Sequence, residues 1–102
     1  MTEAVLHEAG DGVVVLGGVL DFASVPAIWE QLRERIAQES ALTLSLGQVR
    51  QANSAALALL LEAVALARAC SHRLTLENMP RNLLELAELS NVTFLLAVAP
   101  AD

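Results

Sequence analysis

Lysine is absent from this 102-residue sequence, and cysteine and large aromatic residues are scarce. Without lysine the chain cannot carry a phosphate-binding loop, whose motif requires a Gly-Lys pair. The single cysteine, Cys70, excludes an internal disulfide and suits a reducing compartment. Three aromatic residues, Phe22, Trp29 and Phe94, are too few to form a platform on which bases stack. Twelve acidic residues against six basic ones give a net charge of -6, which disfavours binding to nucleic acid or to anionic lipid.

Hydrophobic residues are abundant, at 55% of the chain, and predict one compact domain over residues 1–102. The most apolar segment, 53–70, is interrupted by Glu62 and Arg68, so we expect a buried helix rather than a membrane span. Residues 1–8 contain Glu3 and Glu8 and no basic segment before an apolar run, which is unlike a secretory signal. We therefore expect a cytoplasmic protein that does not insert directly into a membrane.

Hydrophobic periodicity predicts about five strands and three helices. Two β-rich runs around Gly10-Asp11-Gly12 indicate an antiparallel hairpin, and two later runs alternate between leucine and polar residues. Ser24 is a candidate N-cap, and apolar residues at helical spacing follow it. The predicted strands are 5–8, 13–20, 42–46 and 73–77, with 93–98 as a last strand or an extended tail, and the predicted helices are 24–40, 54–70 and 80–89.

Each alternating strand has one apolar and one polar face, which indicates that helices cover only one side of the sheet. The fold class is therefore α/β: two layers, with a mixed sheet of about five strands and about three helices packed on one face. The strand-helix-strand unit formed by 42–77 predicts a parallel crossover.

No combination of residues predicts catalysis or metal binding. His7 and His72 are the only histidines, and neither lies in a catalytic or metal-binding motif. Cys70 and His72 are too few to ligate a metal, and we interpret them as a buried thiol and a solvent-facing imidazole. We expect no enzymatic activity, no cofactor, no metal and no small-molecule substrate.

The start of the long middle helix is the best candidate for a binding site. Asn53 or Ser54 can cap this helix, and the same helix N-terminus can also receive a partner. On a helical wheel one apolar stripe, with Leu57 and Leu60, suits the sheet, while a second stripe with Leu59 and Leu66 lies roughly opposite. In a two-layer fold the second stripe is exposed and available to a partner. The alternative is that the neighbouring helices cover it.

Trp29 poses the same question on the first helix. It lies on the flank of that helix's apolar stripe, beside Arg33. A partly exposed tryptophan is a frequent interface anchor, and a core position is the alternative.

Three segments in order give the chain a resemblance to a STAS domain over most of its length. They are Gly18-Val19-Leu20-Asp21, the alternating leucines of 42–46, and Asn53-Ser54-Ala55-Ala56-Leu57 at the start of a leucine-rich helix. The resemblance implies a mixed sheet with helices on one side, in agreement with the periodicity.

One branch of that family comprises anti-sigma-factor antagonists, which are switched by phosphorylation of a serine in the motif. The usual acceptor position is Ala55 here, and the aspartate of the motif is Asn53. Ser54 is left as an atypical phosphosite, which disfavours this branch. It remains the alternative function, with a serine-kinase anti-sigma factor as the partner.

The other branch is the cytoplasmic STAS subunit of Mla-type ABC transporters, which move phospholipid and maintain outer-membrane asymmetry. Pro26 and Trp29 in the first helix, the leucine-rich 57–61 and the segment 82–87 resemble that subunit. The resemblance implies an accessory subunit that binds and stabilises the ATPase subunit, and through it the permease, at the inner-membrane face. The expected partner-binding residues are Trp29, Asn53, Ser54, Ala55, Leu59 and Leu66.

Overall fold

The computed structural model describes residues 4–92. The first two strands of this range form an antiparallel hairpin. Strand β1 (Val5–Gly10) pairs with β2 (Val13–Leu20) through a two-residue turn. Gly10 and Gly12 flank Asp11 with φ values of 144° and 71°, a backbone region that favours glycine. The predicted hairpin is confirmed, and its turn chemistry explains where it forms.

Two parallel strands extend the sheet beyond the hairpin. Strand β3 (Ala41–Ala52) lies between β2 and β4 (Arg73–Glu77), and the strand order is β1-β2-β3-β4. The alternating leucines predict only residues 42–46 of β3, which continues to Ala52. The continuation pairs with the second half of β2 through two irregularities in register, and such bulges interrupt the alternation by which a strand is recognised.

Within the described residues three helices connect and follow the parallel strands: α1 (Val25–Gln38), α2 (Ser54–Ala69) and α3 (Arg81–Leu89). Side chains from all three helices and from one face of the sheet form a single core. The other face of the sheet, with Val15 and Thr43, is half-exposed, and no helix of residues 4–92 packs on it. The predicted α/β fold with helices on one face is confirmed. Four strands lie within the described residues, and the predicted strand 93–98 lies outside them.

Helices α2 and α3 end in the same motif. Ser71 and Asn91 follow the C-caps with φ values of 58° and 59°, and each donates its backbone N–H to a carbonyl three residues earlier. The next residue in each case donates to a carbonyl five residues earlier, which completes a Schellman motif. This motif turns the chain sharply after α2 and directs it into β4.

Candidate functional site

All three helices begin at one edge of the sheet, which we call the carboxyl edge. Strands β2, β3 and β4 are parallel, and each leads into the helix that follows it, so the three helix N-termini lie side by side. The backbone N–H of Asn53 donates to the Leu20 carbonyl at 3.3 Å. The side-chain amide of Asn82 donates to the Ala52 carbonyl at 2.8 Å. These two hydrogen bonds join the start of α2 to the end of β2 on one side and to the first turn of α3 on the other.

Four side-chain hydrogen bonds of 3.0 Å or less hold the turn between β2 and α1. The Asp21 carboxylate accepts from the backbone N–H groups of Ala23 and Ser24, at 3.0 and 2.9 Å. The Ser24 hydroxyl accepts from the Asp21 N–H at 3.0 Å and donates to the Val19 carbonyl at 2.8 Å. Ser24 is the N-cap of α1 by position, as predicted, but its hydroxyl bonds back to the turn and caps no N–H of the helix.

Phe22 lies in this turn, and its side chain is 72% exposed. Gly18, four residues earlier, has a φ of 90° at a register irregularity of β2, where a side chain would be strained. The glycine thus lets the end of β2 bend into the turn that presents Phe22.

Of the two candidate caps of α2, Asn53 and Ser54, the structure has Asn53 as the N-cap. Its side-chain oxygen accepts a hydrogen bond from the Ala55 N–H at 2.8 Å, and its carbonyl accepts from Ala56 at 2.9 Å. Ser54, the first residue of the helix, is exposed, and its hydroxyl forms no hydrogen bond with residues 4–92. The cap is therefore satisfied without the serine, whose hydroxyl remains accessible.

The prediction that an apolar stripe on α2 is exposed is wrong. Leu59 is 2% exposed and Ala63 is fully buried, while Leu66 is half-buried and packs against the core. Helix α1 packs alongside α2 and covers this flank, which is the alternative that the sequence left open. Ala55 is also buried, at 4% exposure, so its side chain is not available to a partner.

Trp29 is half-buried and packs against the core. Gln31 and Arg35 line a cleft between α1 and β1. Trp29 lies on the opposite side of α1, which is the side nearer α2. The core interpretation therefore accounts for much of this side chain, and a partner can contact only its remaining exposed part.

The exposed face of α2 consists of short and charged side chains rather than leucines. Ala58, Glu62, Ala65 and Arg68 follow Ser54 along this face. Such a surface leaves room for the backbone of α2 to approach another chain closely, but it does not form an apolar patch.

Cys70 and His72 occupy different environments from those expected. Cys70 is exposed at the end of α2 rather than buried. His72 is half-buried, and its Nδ1 lies 2.8 Å from the Ile36 carbonyl, which joins the start of β4 to the last turns of α1. Among residues 4–92, no group of three or more His, Cys, Asp and Glu side chains is placed to hold a metal ion.

Exposed side chains of both signs lie at the carboxyl edge, with Glu77 at the end of β4 and Glu85 in the second turn of α3. None of the three helices has an acidic residue in its first turn, where such a residue would offset the positive end of the helix dipole. Arg81 begins α3 and Arg50 precedes the end of β3, and both are exposed. The ion pairs within residues 4–92 involve other arginines, Arg33 and Arg35.

Sequence reasoning missed the accessible position of Phe22. A signal was present, because a four-residue turn between a buried strand and a helix cannot place all its side chains in the core.

Within the described part of the chain no helix is long and apolar enough to cross a bilayer.

Comparisons with known proteins agree on the fold. A family model described as "Mlab, STAS domain" matches residues 4–97, and no curated protein matches the chain. Three similar solved structures share 19% identity with it. The anti-sigma factor antagonist SpoIIAA in its unphosphorylated form has a TM-score of 0.70, with 95% of this chain and 88% of that chain covered. The Bacillus cell fate determinant SpoIIAA in its phosphorylated form has a TM-score of 0.68, with 95% of this chain and 91% of that chain covered. An anti-sigma factor antagonist from Mycobacterium paratuberculosis has a TM-score of 0.73, with 99% of this chain and 87% of that chain covered.

Proposed function

The chain belongs to the STAS domain family, and from that premise we propose that it is a non-catalytic accessory subunit of a phospholipid-transporting ABC complex. Its partner is the ATPase subunit, through which it associates with the permease at the cytoplasmic face of the inner membrane. The observation that carries this proposal is the exposed Ser54 at the start of a helix whose cap is already supplied by Asn53. The description of the matching family model supports the choice of transporter.

Docking through the N-terminus of α2 follows from what is exposed there. Asn53 and Ser54 are accessible, and Ala58 follows Ser54 on the same face of the helix. These short side chains let a partner come close to the first turn of α2, where the positive end of the helix dipole favours hydrogen-bond acceptors. The protein contributes a binding surface, and the partner hydrolyses ATP.

Binding to the ATPase subunit is tested by introducing bulk at Ser54. We expect Ser54→Arg to abolish co-purification with the ATPase subunit from the same genome and to change the ATPase rate of the complex. Ser90→Arg is the matched control, because Ser90 is also exposed but lies at the C-terminal end of α3. Unchanged co-purification and an unchanged ATPase rate for Ser54→Arg would refute the proposed site.

The second candidate is an anti-sigma-factor antagonist that binds a serine-kinase anti-sigma factor. The accessible Ser54 hydroxyl favours it, because a phosphate at a helix N-terminus is stabilised by the backbone N–H groups and the dipole. The buried Ala55 at the usual acceptor position weighs against it. Incubation with ATP and such a kinase separates the candidates: stoichiometric phosphate on Ser54, absent from Ser54→Ala, supports the second.

A further inference from the structure

We draw no further inference here: the strongest candidate, the exposed Phe22 in the turn between β2 and α1, carries no proposal because nothing in residues 4–92 shows what covers its ring.

Discussion

The side-chain oxygen of Asn53 lies 2.8 Å from the backbone nitrogen of Ala55 and closes the first turn of α2. The neighbouring Ser54 takes no part in that cap and faces solvent. Two adjacent polar residues thus have separate tasks, since one stabilises the helix and the other is accessible to a partner. This separation makes it possible to alter the candidate site without unfolding the helix.

Removing the cap should lower stability. We expect Asn53→Ala to lower the free energy of unfolding by about 1 kcal/mol, because the Ala55 N–H loses its acceptor. Asn53→Asp keeps the acceptor and adds a negative charge at the positive end of the helix, so it should be at least as stable as the unaltered chain. Urea denaturation of both variants measures the difference. A loss in Asn53→Asp as large as in Asn53→Ala would contradict the capping role.

Leu59 should behave as a core residue rather than as a contact residue. Leu59→Ala is expected to cost about 2–4 kcal/mol, because the side chain is 2% exposed and its removal leaves a cavity. Ala58→Gln, one residue earlier on the exposed face, should change stability by less than about 0.5 kcal/mol. Chemical denaturation checks both values. A Leu59→Ala variant that keeps its stability but binds the partner less tightly would instead show that Leu59 is a contact residue.

Trp29 should contribute mainly to stability. We expect Trp29→Ala to cost about 2 kcal/mol, roughly half the loss at a fully buried tryptophan, because Trp29 is half-buried against the core. Melting temperature and affinity for the ATPase subunit should be measured on the same preparation. An unchanged melting temperature with binding weakened by about 2 kcal/mol would instead assign Trp29 to the interface.

The backbone conformation of Gly18 should not tolerate a side chain. With a φ of 90°, Gly18→Ala is expected to cost about 1–2 kcal/mol through steric strain. Gly47→Ala is the control, because the nearest contacts of an added Cβ are ordinary ones at 3.5 Å. Equilibrium unfolding compares the two substitutions. Equal stability of the two variants would show that the bend at the end of β2 does not depend on glycine.

The residue after α2 offers a stabilising substitution. Ser71 has a φ of 58°, so Ser71→Gly should raise the free energy of unfolding by about 0.5–1 kcal/mol. Asn91→Gly at the equivalent position after α3 should gain less, because asparagine tolerates this conformation better than serine. Thermal melts of the two variants give the order. A larger gain at Asn91 would contradict the explanation.

Much of the fold was predictable because it depends on local order in the sequence. The glycines around Asp11 indicated the hairpin, and the leucines of 42–46 and of Arg73–Glu77 indicated two half-buried strands. The second half of β3 was missed, because its bulged pairing with β2 breaks the alternation. Ser24 occupies the predicted N-cap position, but the direction of its hydroxyl was not predictable, since a serine before a helix can bond forward to the helix or back to the turn.

The amino-acid sequence alone determined where most of the strands and helices form, that the helices share one face of the sheet, and that Asn53 or Ser54 caps α2. Only the tertiary structure decided which apolar side of α2 is covered and which aromatic side chain remains in water. A helical wheel gives the width of an apolar surface, but burial depends on what packs against it. Here α1 covers Leu59, while the turn before α1 leaves Phe22 outside the core.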